Sequence, residues 1–299
     1  LQVKRIKRKI SGVLLLDKSA GISSNYALQQ AKRLYQAEKA GHTGTLDPMA
    51  TGMLPLCFGE ATKFSRFLLD ASKTYQAIVK LGQTTTTGDS EGEILSTQPV
   101  NVSRPQLVKV LQDLVGTISQ VPPMYSALKH QGKALYTYAR QGVDIERKSR
   151  EITIYQLDLD DFSGDELSIT VSCSKGTYIR VLAEDIGKAV GCGAYMQALR
   201  RTKIGPFSLN QAVTLPQLEQ LDLAGRDALL LPVDALIETM QKVILDTQST
   251  YYIKQGQPIW LAKQSAGAIL RLYDGQGCFL GIGEVTAEGK IAPKRLVVL

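Results

Sequence analysis

A single carboxylate, Asp47, stands in a stretch of glycine, threonine and proline that runs from Gly41 to Lys63 (GHTGTLDPMATGMLPLCFGEATK). Pro48 follows it directly and biases its backbone towards an extended conformation, while the neighbouring glycines permit positive φ. Such a loop is stiff enough to present one acid into a cleft. A desolvated carboxylate can serve as a nucleophile or as a general base. Asp-Pro also opens many ordinary turns, so the dipeptide alone leaves both readings standing. Burial would push such an acid towards its protonated form unless a cation sits beside it. Imidazole is available only from His42 and His130, and Cys57, Cys173, Cys192 and Cys278 stand singly with no CxxC spacing. We therefore expect reduced thiols in a cytoplasmic protein, with no metal site and no disulfide frame.

The elements that must position this acid are legible in outline. Gly12–Asp17 (GVLLLD) reads as a short buried strand, and Ser23 or Ser24 as the cap of a helix with Ala27, Ala31, Leu34 and Tyr35 on its apolar face. Gly41–Thr62 reads as loop with short structured pieces. Tyr75, Ala77, Val79 and Leu81 alternate with Gln76 and Lys80, as in a half-buried strand. Thr84–Gly92 is a polar loop. Ser103, Pro105 and Gln106 form a capping box for a helix whose buried face is Leu107, Leu111, Leu114 and Val115. Ile152–Phe162 and Leu167–Cys173 read as strands joined by a turn at Ser163–Asp165, and Tyr178–Val190 as a helix stopped at Gly191. Beyond a composition shift near Leu231–Thr247, Ala268–Leu272, Phe279–Val285 and Leu296–Leu299 read as strands of a small β-rich unit of about fifty residues.

The chain has 299 residues, 44% hydrophobic and 21% charged, which fits a folded protein and excludes disorder over most of its length. Its net charge of +7 favours a polyanionic partner or an anionic membrane surface without choosing between them. No apolar run is long enough to span a membrane. Leu1–Ile10 carries Lys4, Arg5, Lys7, Arg8 and Lys9 with no long apolar core behind it, which argues against a secretory signal. Gln120–Arg150 interleaves Tyr125, Tyr136 and Tyr138 with cations, a composition better suited to splayed RNA than to a duplex groove.

The whole string from Gly41 through Pro55, continued by GEATK at Gly59–Lys63, resembles the catalytic-loop motif of the TruB family of pseudouridine synthases, in which the aspartate is the nucleophile. GVLLLDK at Gly12–Lys18 with GISS at Gly21–Ser24 is similar to the family's first motif, except that Ser19 stands where proline is usual. Lys73-Thr74-Tyr75, VPPMYSA at Val121–Ala127 with Lys129 and Gly132, SKGTYIR at Ser174–Arg180 and ALRR at Ala198–Arg201 resemble its further motifs in order.

The resemblance implies an α+β pseudouridine synthase fold: a mixed, mostly antiparallel central sheet flanked by helices and loops, plus a small β-rich PUA-like C-terminal domain. It implies a catalytic domain over 10–246, with an RNA-gripping insertion at about 120–150, and an RNA-binding domain over 247–299. Asp47, Tyr75 and Arg180 would be catalytic, Arg180 keeping Asp47 ionised and Tyr75 stacking on uracil. His42 would brace the space left by a flipped base, with Tyr178 and Leu199 lining the pocket. Lys18, Lys63, Lys129, Lys133, Arg147, Lys148 and Arg150 would contact phosphates. The implied partner is the T stem-loop of tRNA, with uridine 55 isomerised to pseudouridine. No cofactor, no metal and no membrane are expected, and a monomer suffices.

Three other readings stay open. A glycosidase or base-excising glycosylase also works at a glycosidic carbon but needs two carboxylates, and Glu60 is the only other acid in the loop. A non-catalytic RNA chaperone fits the charge. An RNA-guided ribonucleoprotein synthase shares the loop motif, although the absence of long lysine-rich tails favours the stand-alone type.

Overall fold

The computed structural model describes residues 7–260 and 265–298. The expectation for the basic N-terminus falls partly, and that for Leu299 wholly, outside the described residues. Among the described residues a nine-stranded sheet runs in the order Gly12–Lys18, Thr51–Phe58, Ala194–Ile204, Lys73–Leu81, Glu166–Cys173, Arg150–Ser163, Gly116–Gln120. Ala40–His42 and Phe207–Ser208 are attached to it off this path. Thr51–Phe58 pairs in parallel with Ala194–Ile204, and the other pairings are antiparallel, as a mixed, mostly antiparallel sheet requires.

The apolar run in Gly12–Lys18 is continuous because both faces of that strand are covered. Leu14 and Leu16 pack with Ala27, Leu28 and Ala31 of the helix Ser24–Leu34, while Val13 and Leu15 pack with Phe64, Leu68 and Ile282 on the opposite side. Ser23 caps that helix, its Oγ accepting from the Tyr26 N–H. Thr51–Phe58 (TGMLPLCF) corrects the reading of Gly41–Thr62 as loop, since eight residues of it form a strand in the middle of the core. Its glycine and proline mimic loop composition, and burial on both faces removes the alternation that marks a half-exposed strand.

Tyr75, Ala77, Val79 and Leu81 point inward along Lys73–Leu81 as the alternation requires. The Ser103 capping box is formed and opens Arg104–Asp113. Leu107 and Leu111 are buried, but Val115 lies past the helix end and is exposed, so it does not belong to the buried face. The helix Ile179–Ala189 stops before Gly191, whose φ of +83° suits a residue without Cβ.

A second sheet, Lys242–Ile244, Ile269–Tyr273, Phe279–Val285, Lys290–Leu296 and Ile259–Trp260 in spatial order, has its own core of Leu245, Ile253, Leu270, Leu272, Leu280 and Ile291. Its fourth strand precedes the Leu296–Leu299 run expected from hydrophobicity, because Pro293 and the register shift at Ile282/Gly283 interrupt the apolar pattern of Lys290–Leu296.

Candidate active site

Asp47 lies in the turn between Ala40–His42 and Thr51–Phe58, and its backbone surroundings are pinned from several sides. Ser24 Oγ accepts from the Leu46 N–H at 2.8 Å and donates to the Leu46 carbonyl at 3.0 Å. The Gly21 N–H donates to the Pro48 carbonyl at 2.9 Å, and Lys18 Nζ donates to the same oxygen at 3.2 Å. Arg201 straddles the loop, its Nε donating to the Met53 carbonyl at 2.7 Å and its Nη2 to the Gly44 carbonyl at 3.3 Å. Gly44 has a φ of +84°, which a side chain would resist. The stiffness expected of the loop therefore comes from side chains of three other segments as much as from Pro48.

The carboxylate opens into a cavity of about 350 Å³ whose walls include Tyr75, Arg150, Tyr178, Leu199 and Arg201. Arg180 Nη2 stands 3.2 Å from Asp47 Oδ2, with the Arg180 side chain only 4% accessible and that of Asp47 37% accessible. Burial holds the Asp47 carboxyl above its ordinary range; Arg180 and Lys18 oppose this shift and Asp89 adds to it. The expected pairing with Arg180 is formed, and it offsets the effect of burial without abolishing it.

All three nitrogens of the Arg180 guanidinium are engaged. Its Nη1 donates to the Thr87 carbonyl at 3.1 Å, Nη2 to the Tyr125 carbonyl at 2.6 Å, and Nε lies 3.4 Å from Asp89 Oδ2. Asp89 gave no sign of this in the sequence, where TTTTGDSEG reads as a solvated loop. In the fold it is buried, with Thr87 Oγ1 at 2.5 Å and the Glu91 N–H at 3.1 Å on its Oδ1.

Tyr75 is buried opposite Arg201 in the ladder, and burial raises its phenol above the ordinary range. Leu199 is buried in the cavity wall, and Tyr178 caps the next helix beneath the Arg150 guanidinium at 5.0 Å. His42 pairs with Leu56 in the sheet and does not line the cavity; its Nδ1 is buried without a partner, and burial depresses its pKa.

The expected phosphate contacts divide. Lys18 is fully buried, with Nζ also donating to the Ser19 and Ile22 carbonyls at 2.8 and 2.7 Å, so it anchors the loop and cannot reach a phosphate. Burial pushes its ammonium down to about 8. Lys63 is engaged with Glu60 at 2.6 Å and the Leu296 carbonyl at 2.9 Å, tying the two sheets together. Arg147 is half-buried and pairs with Asp144 at 3.2 Å. Lys129, Lys133 and Lys148 are exposed, and Arg150 is in the cavity wall. Lys73 is a further buried lysine at the cavity, its Nζ donating to the Leu69 and Ala71 carbonyls at 2.7 and 2.5 Å; the KTY string that marked Tyr75 contains it. Among the described residues no cluster of His, Cys, Asp and Glu is placed to hold a metal ion, and no helix is long and apolar enough to cross a membrane.

Known proteins match this chain over nearly its whole length. A family model described as TruB family pseudouridylate synthase (N terminal domain) matches residues 32–179. The model described as tRNA pseudouridylate synthase B C-terminal domain matches 180–238, and the one described as Pseudouridine synthase II TruB, C-terminal, matches 242–297. The chain is 60% identical to tRNA pseudouridine synthase B of Methylobacillus flagellatus over 99% of its length and 98% of the relative's. It is 54% identical to the protein of that name from Dechloromonas aromatica, over 100% and 99%. Among solved structures, a Cbf5-Nop10-Gar1 complex matches at 26% identity with a TM-score of 0.72, covering 96% of this chain and 84% of the other. An H/ACA RNP bound to a substrate RNA containing 2'-deoxyuridine matches in fold, at 23% identity and a TM-score of 0.72, covering 96% and 85%.

Proposed function

The chain belongs to the TruB family of pseudouridine synthases, and on that premise we propose that Asp47 is the catalytic carboxylate with which it isomerises uridine 55 in the T loop of tRNA. It is a tRNA pseudouridine synthase, an isomerase. The reaction breaks the N1–C1′ bond, turns the uracil and joins C5 to C1′, while C5 loses a proton and N1 gains one. Nothing is oxidised, reduced or hydrolysed, so one charged carboxylate and a closed pocket suffice. The observation that carries the assignment is Arg180 Nη2 at 3.2 Å from an Asp47 carboxylate that opens into the cavity.

Arg180 holds the charge of Asp47 against desolvation. Tyr75 and Leu199 receive the flipped base, with Tyr178 and Arg150 at the wall and His42 bracing the vacated stack. Extrusion of the uridine costs about a few kcal/mol, which stacking and phosphate contacts offset. The raised phenol of Tyr75 keeps it protonated at neutral pH, so stacking suits it better than proton abstraction. Lys129, Lys133 and Lys148 meet phosphates from the 120–150 segment, which grips the T stem, and the C-terminal sheet adds RNA contact as a PUA-like domain. A monomer acting on the cytoplasmic tRNA pool completes the reading.

A hydrolytic reading would recruit Asp89 as its second carboxylate, but that group is buried and its oxygens face Arg180, Thr87 and the Glu91 N–H. Release of tritium from uracil C5 in a tRNA transcript, followed by mapping of the modified position, tests the proposal. Asp47→Asn should bind the transcript as the parent does and release none. Full activity in that variant removes Asp47 from the mechanism, free uracil as product makes the enzyme a hydrolase, and dependence on an added guide RNA makes it a ribonucleoprotein subunit.

A further inference from the structure

The segment 121–149 leaves and re-enters the large sheet through one residue pair, Gln120 and Arg150, which are register partners at the ends of their strands. Both reach the same neighbour. Gln120 is 2% accessible, and its amide engages the Tyr178 backbone twice: Oε1 accepts from the Tyr178 N–H at 2.8 Å, and Nε2 donates to the Tyr178 carbonyl at 3.1 Å. That carbonyl also starts the helix ladder by accepting from the Leu182 N–H. From the other root, the Arg150 guanidinium lies over the Tyr178 ring and donates to the Gly176 carbonyl. Tyr178 is the N-cap of Ile179–Ala189 and supplies no side-chain cap of its own, and Arg180 is the second residue of that helix. Within the segment, the Tyr125 carbonyl accepts from Arg180 Nη2, the nitrogen that faces Asp47.

Resting on the assignment of Asp47 and Arg180 made above, we propose that Gln120 is a positioning residue that ties the base of the 120–150 segment to the start of the Arg180 helix and so holds the guanidinium against Asp47. Gln120 does not line the cavity and touches no reacting atom. It acts by fixing where the helix begins. Without it a buried N–H is left unpaired and the first turn is released to shift. A displacement of about 1 Å at such a distance from the chemistry is enough to lower a rate on the order of a hundredfold. Only a side chain that both donates and accepts satisfies the Tyr178 N–H and carbonyl together: methionine donates nothing and its sulfur accepts only weakly, and an ionised glutamate accepts without donating.

Gln120→Met and Gln120→Glu in the full chain test this. For Gln120→Met, tRNA Kd should be unchanged while single-turnover pseudouridine formation slows by roughly ten- to a hundredfold. Its acidic rate limb should also move to higher pH, because a displaced Arg180 no longer opposes the effect of burial on Asp47. Protonated Gln120→Glu restores both bonds, so its rate relative to the parent should improve as pH falls. Should the methionine variant melt too low to assay, the pH trend of the glutamate variant carries the test alone. A parental rate and limb in Gln120→Met, or a glutamate variant with no pH trend relative to the parent, overturns the coupling. Asp47→Asn measured alongside separates the two claims: activity there removes the catalytic assignment, whereas loss there with parental Gln120 variants removes only the coupling.

Discussion

Arg180 and Asp89 form an ion pair in which both side chains are 4% accessible, with Nε 3.4 Å from Oδ2. The guanidinium that faces Asp47, the proposed catalytic carboxylate, is thus held from behind by a second carboxylate that is almost wholly desolvated. Removing one partner of a buried pair leaves a bare charge, which is far worse than never having the pair.

Arg180→Met should therefore fail twice. Asp89 would be left buried and uncompensated, lowering stability by about 3–5 kcal/mol, and Asp47 would lose the cation that opposes its protonation. Urea denaturation reads the first effect and tritium release the second. In Arg180→Lys one ammonium cannot span both acids, so stability should recover in part while activity stays low.

The pH dependence follows from the raised pKa of the Asp47 carboxyl. The rate should fall as pH drops through a value above the ordinary carboxylate range, since the ionised form is the reactive one. Asp89 pushes this pKa up, so Asp89→Asn should move the acidic limb to lower pH. For stability the sign is opposite to that of a typical salt-bridged aspartate. A folded pKa above the unfolded one gives a contribution that is present at low pH and lost as pH rises through the folded value. Asp47→Asn should thus melt no lower than the parent at neutral pH, and its relative advantage should grow across that window.

Salt titration separates anchoring lysines from phosphate contacts. Lys148→Ala should flatten the slope of log Kd against log salt for tRNA by about one. Lys18→Met should leave that slope unchanged while slowing isomerisation, because the loop loses the ammonium that holds its Pro48 carbonyl. A flattened slope in Lys18→Met would return that lysine to the RNA interface.

Gly52→Ala should be among the most damaging single-methyl changes. Its φ is +101°, and an added Cβ would lie 2.3 Å from the Arg201 carbonyl oxygen across the parallel pairing. Backbone strain alone amounts to about 1–3 kcal/mol, and relief by movement would drag Arg201 away from Gly44. A lowered melting temperature together with a lowered rate is the expected result.

What the sequence determined by itself was local. Alternation at Tyr75–Leu81, the Ser103–Gln106 capping box and the helix stop at Gly191 depend on neighbours a few positions apart, and such spacing is written in the chain. The family strings nominated Asp47, Tyr75, Arg180 and Leu199, which the fold gathers around one cavity. Beyond the Arg180–Asp47 pairing that those strings implied, only the tertiary structure decided which charges meet. It turned Lys18 from a phosphate contact into a buried anchor, drew Asp89 out of a polar loop to stand behind Arg180, and put Gln120 against the Tyr178 backbone. Coulomb and hydrogen-bond energies depend on distance and on exclusion of water, and a string of residue types contains neither until the sheet has closed around them.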